Sequence, residues 1–191
     1  MDNKRNLYVI THCQSCYNKH HIFTGLIDSV LTPDGHKHAQ DLAQKLRKKR
    51  IGLFYTSPLT RSKQTLQHIK KYHPEAQVII DKRIIERDYG ELSGKSQVKY
   101  KREYPELYPI YHRSYDIPPP GGESIKDVEK RIKPFIQEVI SRIKKDKVNV
   151  LIVTHGNAIR PIRKYFEDLT NDQMMKLEHQ RHKVFKYQIG V

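Results

Sequence analysis

Two short apolar runs, each ending on a histidine, constrain this chain more than any other feature. Leu7-Tyr8-Val9-Ile10 runs into Thr11-His12, and Val148 to Val153 runs into Thr154-His155-Gly156. Apolar runs of this length read as strands buried on both faces. Gly52-Leu53-Phe54-Tyr55 and Val78-Ile79-Ile80 add two more, and Val184 to Ile189 adds a last one. Between them, apolar residues return at helical spacing. The series are Ala39, Leu42, Ala43 and Leu46; then Leu59, Leu66 and Ile69; then Val128, Ile132, Phe135, Ile136, Val139 and Ile143; and the stretch Ala158 to Phe166. Helix starts are marked by Pro33-Asp34-Gly35, by Ser124 with Asp127, and by Thr170 with Gln173. Strands alternating with helices predict an α/β fold with a mostly parallel central sheet flanked by helices.

Residues 81–122 break the alternation. They are rich in Tyr, Pro and charge, show no sustained period, and close on Pro118-Pro119-Pro120-Gly121-Gly122. A long irregular stretch of this kind is expected to be a binding insertion over an active site. The 191 residues otherwise read as one domain, 1–191.

Charge excludes less than it first suggests. The 36 Lys+Arg against 21 Asp+Glu leave a formal net charge of +15. The densest clusters, Lys45 to Arg50 and Arg142 to Lys147, fall at expected helix ends, where positive charge suits the helix dipole. No nucleic-acid-binding motif accompanies them, so no specific nucleic-acid partner is expected. No apolar run reaches the ~18 residues of a membrane span. The N-terminal segment has no long apolar core or cleavage site, so a cytoplasmic location is expected. Cys13 and Cys16 form a lone C-x-x-C, read as structural or incidental before redox-active, and no second pair completes a zinc site. His36 and His38 fall on different faces of a helix and are not a metal pair. No metal is expected.

The chemistry gathers at strand ends. His12 and His155 each stand just past a strand, on the side where open α/β sheets bind ligands. Arg61 follows a third strand, after Ser57-Pro58. If those strands are neighbours, two imidazoles and a guanidinium share one pocket. Imidazole can attack phosphorus, and guanidinium is shaped to hold phosphate oxygens.

Beyond this spacing, the chain resembles the histidine phosphatase superfamily, and within it the cofactor-dependent phosphoglycerate mutases. The resemblance rests on Thr11-His12-Cys13-Gln14-Ser15 with Asn18; on Phe23-Thr24-Gly25-Leu26-Ile27-Asp28; and on Ser57-Pro58-Leu59-Thr60-Arg61-Ser62. It continues through Glu86-Arg87-Asp88-Tyr89-Gly90, Arg113-Ser114-Tyr115-Asp116, Gly122-Glu123-Ser124 and His155-Gly156-Asn157. It implies a three-layer sandwich and a phosphohistidine mechanism. His12 would be the nucleophile, with His155 and Arg61 on the transferring phosphoryl group. Glu86 would be the general acid and base. Ser15, Asn18, Thr24, Gly25, Gly156 and Asn157 would donate to phosphate or substrate, and Tyr89 and Arg113 would hold the substrate's second anionic group. The implied partner is a small phosphorylated anion, with 2,3-bisphosphoglycerate as the phosphoryl primer of a mutase. A homodimer is compatible with the resemblance.

Four positions depart from the family pattern. Thr11 replaces an arginine, Cys13 a glycine, Gln97 a lysine, and His112 the first of two arginines. The C-terminal stretch Glu178 to Val191 also departs from the family tail. Three readings therefore stay open: a mutase interconverting 3- and 2-phosphoglycerate, with reduced or compensated activity; a phosphomonoester phosphatase; and an impaired site that binds anions or a partner without turnover.

Overall fold

The computed structural model describes residues 4–178 and 182–191. The chain begins with β1 (Lys4–Thr11), then the short α1 (Cys16–Lys19), α2 (Pro33–Leu46), β2 (Ile51–Thr56), α3 (Thr60–Lys70) and β3 (Gln77–Ile80). It continues through α4 (Gln97–Glu103), α5 (Leu107–Arg113), α6 (Ile125–Asp146), β4 (Asn149–Thr154), α7 (Ile159–Glu167), α8 (Asn171–Lys176) and β5 (Phe185–Gly190). The strands form one sheet in the order β3-β2-β4-β1-β5. All neighbours are parallel except β5, which runs antiparallel along β1.

Strand periodicity divides the core into two layers. Leu7 and Val9 of β1 point to one face and Tyr8 and Ile10 to the other. The first face packs with Phe135, Ile136, Val139 and Ile143 of α6 and Ile162 of α7. The second packs with Leu42 and Leu46 of α2 and Leu66 and Ile69 of α3. Helices on both faces of a mostly parallel sheet make the expected three-layer sandwich. The helix starts hold as read: Thr32 Oγ1 accepts from Gly35 N at 2.9 Å, and Ser124 with Asp127 and Thr170 with Gln173 form reciprocal capping boxes.

Two features place the chemistry at one end of the sheet. β1, β4 and β2 are adjacent and parallel, so His12, His155 and the β2–α3 turn emerge side by side. The two basic clusters lie at the other end. Asn149, at the start of β4, donates to Lys49 O at 2.8 Å, and Arg5, near the start of β1, donates to Lys147 O.

The 81–122 stretch is more regular than its sequence suggests. It contains α4 and α5, each of seven residues. Less than two full turns gives no readable period, and Pro109 lies in the first turn of α5, where its missing N–H has no helical acceptor to lose. Their aromatic faces pack instead: Tyr100, Tyr108 and Tyr111 gather on the buried Phe23, Tyr89 and Leu92. Gly90 fixes how this segment folds back. Its φ is +51°, and a Cβ there would sit 2.1 Å from Pro120 O. That close approach lets Glu91 N donate to Pro120 O at 2.9 Å, docking the triple-proline loop beside the segment that carries Glu86 and Tyr89.

Candidate active site

The register Thr11↔Thr154 puts the next residues of β1 and β4 together, and the His12 and His155 rings lie 5.0 Å apart. His12 Nδ1 is 2.7 Å from Cys13 O. A carbonyl can only accept, so Nδ1 carries the proton and Nε2 keeps its lone pair for attack. His155 is fully buried behind it, with Nε2 2.7 Å from Ser57 Oγ, while its Nδ1 has no partner among the described residues. Arg61, 1% exposed in the first turn of α3, donates through Nη1 to Ile27 O at 2.9 Å and through Nη2 to Gly25 O at 2.8 Å. Its Nε is likewise unpartnered.

Glu86 is held from three sides. Its Oε1 accepts from Arg87 N at 2.8 Å and Asn157 N at 3.1 Å, and its Oε2 accepts from Gly156 N at 3.1 Å. Arg131 of α6 donates to Ile85 O at 3.0 Å and Glu86 O at 3.1 Å, and Thr154 Oγ1 donates to Ile84 O at 2.9 Å. The carboxylate thus has a fixed place beside the β4–α7 turn.

His12, Arg61 and Glu86 line two adjoining lobes of about 170 and 80 Å³, and His155 lies behind them, outside both linings. His12, Asn18, Glu86 and Tyr89 line both. The smaller lobe adds Thr24, Gly25, Arg61 and Gln97. The larger adds Gly156, Asn157, His112, Arg113 and Arg160. A larger cavity, about 530 Å³, lies elsewhere, between α4 and Pro120, and has neither histidine nor arginine in its lining.

The expected site residues therefore come together, with changes of role. Ser15 does not reach the lobes: it is fully buried, and its Oγ caps α1 by accepting from Asn18 N at 3.4 Å. The reason is local, since a capping box needs both Ser15 and Asn18, whose Oδ1 accepts from Ser15 N at 3.3 Å. The Gly156 and Asn157 N–H groups serve Glu86, and Asn157 Nδ2 donates to Tyr89 Oη at 3.2 Å. Arg5 cannot replace the charge absent at Thr11, because it sits at the opposite end of β1. A small cleft beside Thr11 is instead flanked by Arg160 and Arg163, and Arg163 is paired with Glu167 at 2.7 Å. Burial pushes the Cys13 thiol up to about 12, which makes it a poor redox group.

Three contributors, Ser57, Arg160 and Arg87, were not assigned site roles from the sequence, and a fourth, His112, was marked there only as a departure from the family's arginine pair. Ser57 holds His155, and His112 and Arg160 line the larger lobe. Arg87 is fully buried, donates to Glu123 O at 2.6 Å, and leaves Nη2 unpartnered. Arg160 lies one helical turn after Asn157, and Ser57 and Arg87 lie inside the matched motifs.

Electrostatics in the site give a testable pH dependence. Burial, with Arg113, Arg87 and Arg160 nearby, pushes His112 down to about 4. Burial, with Arg61 and His12, holds His155 well below the usual imidazole value. Unfolded, both would titrate near ~6.5, so below that pH the unfolded chain binds more protons and stability falls with pH. His112 alone is expected to remove about 2 kcal/mol by pH 5, and the loss continues down to about pH 4. Urea unfolding at pH 7 and pH 5 measures this, and His112→Gln is expected to flatten the difference.

A family model for the histidine phosphatase superfamily (branch 1) matches residues 7–190. The 2,3-bisphosphoglycerate-dependent phosphoglycerate mutase of Brucella melitensis biotype 2 is 37% identical over 179 residues, covering 91% of this chain and 87% of that protein. Two solved structures share the fold. A mycobacterial glucosyl-3-phosphoglycerate phosphatase aligns with a TM-score of 0.85 at 22% identity, over 97% of this chain and 90% of that one. The alpha-ribazole phosphatase of Shigella flexneri aligns with a TM-score of 0.81 at 20% identity, over 95% and 89%. With its two strand-end histidines side by side and the matched motifs running through nearly its whole length, the chain belongs to the histidine phosphatase superfamily, whose members are phosphoryl-transfer enzymes of mutase or phosphatase type.

Proposed function

We propose that this protein is a phosphoglycerate mutase that passes a phosphoryl group through His12, primed by 2,3-bisphosphoglycerate. The observation that carries the reading is His12, its Nδ1 bound to Cys13 O, lining a cavity that also holds Glu86 and, across the larger lobe, Arg113. Arg113 has no carboxylate within ion-pair distance among the described residues; its Nε contacts only the neighbouring His112 Nδ1, at 3.3 Å. A phosphomonoester needs cations at one end only. A phosphorylated acid needs them at both.

The residues present fit a bisphosphorylated primer. Arg61 lines the smaller lobe, and its buried Nε has no partner among the described residues; an anion in that lobe would supply one. Arg61 would hold one phosphoryl group and Arg113 the other end; the primer supplies the phosphoryl group. His12 Nε2 then attacks phosphorus while the bond from phosphorus to the ester oxygen breaks, and Glu86 gives that oxygen its proton. In the return step Glu86 takes the proton from the acceptor hydroxyl as its oxygen displaces His12.

A phosphatase reading keeps one specific observation in its favour. Gln97 is a neutral amide in the smaller lobe, and His112 is neutral in the larger, so the cavity as a whole carries fewer charges than the family pattern provides. One experiment separates the readings: incubation with 2,3-bisphosphoglycerate and 3-phosphoglycerate, intact mass measured without acid quench, and products assayed. A mutase forms a phosphoryl adduct and makes 2-phosphoglycerate faster than inorganic phosphate. Phosphate release without isomerisation indicates the phosphatase, and no adduct at any donor concentration indicates the impaired site.

A further inference from the structure

Arg160 is a cation whose charge nothing else in the fold explains. It is 7% exposed, on the inner face of α7. Its Nη1 donates to Met174 O at 2.9 Å and Met175 O at 3.1 Å. Both carbonyls belong to the last turn of α8, where Met174 O also accepts from Leu177 N at 3.2 Å. They hold one edge of the guanidinium, while the side chain also lines the lobe that contains His12 and Glu86. Among the described residues no carboxylate lies within ion-pair distance of it; the neighbouring Arg163 takes Glu167.

The two lobes divide the cations. Arg61 lines only the smaller lobe, Arg113 and Arg160 only the larger, and His12 lies between them. Burial, and next to it the like charge of Arg113, which lines the same lobe, lower Arg160 to about 10, so it stays charged at neutral pH. An anion placed between them would convert that repulsion into two attractions.

We propose that Arg160 is a specificity-determining residue: held by the end of α8 and acting with Arg113, it binds the anionic group of the substrate remote from the phosphorus that His12 attacks. The site therefore selects phosphorylated carboxylic acids over phosphorylated alcohols. This rests on the reading of the cavity as a phosphoryl-transfer site, and it assigns the acid end to a residue that the family motifs left without a role. A guanidinium held along one edge offers its other N–H groups in a fixed plane, which suits a carboxylate.

The test is equilibrium binding on the His12→Ala background, where no turnover consumes the ligand. Calorimetry with 3-phosphoglycerate and with glycerol 3-phosphate compares an acid with the alcohol that lacks it. Adding Arg160→Gln is expected to weaken 3-phosphoglycerate by about 10- to 100-fold and glycerol 3-phosphate by less than about threefold. Arg160→Lys keeps the charge without the planar fork and is expected to fall between, with its loss again confined to the acid. It also serves if the Gln variant fails to fold, which melting temperatures would reveal. Equal losses for the two ligands would mean that Arg160 only braces α8, and the proposal would be overturned. So would an unchanged affinity for 3-phosphoglycerate, or no preference for it in the parent. Failure of wild-type protein to form a phosphohistidine would remove the mutase reading while leaving this binding result intact.

Discussion

His12→Ala is expected to abolish the phosphoryl adduct and to lower turnover about 10⁵-fold or more, as removal of a covalent nucleophile does. The expectation follows from the ring's two nitrogens. Cys13 O fixes the proton on Nδ1, so the lone pair of the neutral ring sits on Nε2. His155 cannot take over. It is fully buried, and Nε2, the nitrogen equivalent to the attacking one, is bonded to Ser57. The variant should fold normally, because the ring lines an open cavity and the packed layers lie below it. It should also leave a space that free imidazole can enter. Partial recovery with added imidazole would show that the missing group is a nucleophile rather than a structural support. An adduct persisting in His12→Ala, located by peptide mapping, would place the chemistry on another side chain and sink the assignment.

What the sequence made legible depended on length and repetition. β1 and β4 were readable because strands buried on both faces leave uninterrupted apolar runs. α6 was readable because its apolar positions repeat over 22 residues from Ser124's capping box onward. α4 and α5 were not, because seven residues hold too few repeats and their stabilising contacts are aromatic ones to Phe23 and Tyr89, distant in sequence. The site followed the same rule. His12 and His155 announce themselves at strand ends, whereas Arg160 becomes part of the site only when α8 returns two carbonyls to it. Ser15 was misread for the opposite reason: its neighbours in a motif suggested substrate, while its own hydrogen bonds close a four-residue helix.

Thr11 shows why composition at one position does not decide activity. Counting motif charges suggests a loss of catalytic power, since a removed charged donor costs about 100-fold or more at a transition state. In the folded chain the lobes beside His12 still present Arg61, Arg113 and Arg160, and Arg87 lies directly behind. The cations come from α3, α5 and α7 as well as from a segment before α4, so no single local pattern contains them.

Glu86→Gln should separate proton transfer from binding. Glu86 sits between the β4–α7 turn and the nucleophile, and both of its oxygens accept backbone N–H groups. Glutamine matches one of those oxygens but puts an NH₂ group in place of the other, so one donor, Gly156 N or Asn157 N with Arg87 N, then faces a donor. Some binding is lost with the proton relay, and overall activity on phosphoglycerate cannot tell the two apart. The leaving group can. An alkoxide departing from phosphoglycerate needs the proton that Glu86 supplies, and losing a general acid costs about 10²- to 10⁴-fold. An aryl oxide is stable without one. The expectation is therefore a loss of about 10³-fold with phosphoglycerate and less than about tenfold in adduct formation from an aryl phosphate. If both substrates lose equally, Glu86 is only holding the β4–α7 turn in place. In that case the proton must reach the leaving oxygen by a route other than Glu86, and the assignment of Glu86 as acid and base is withdrawn.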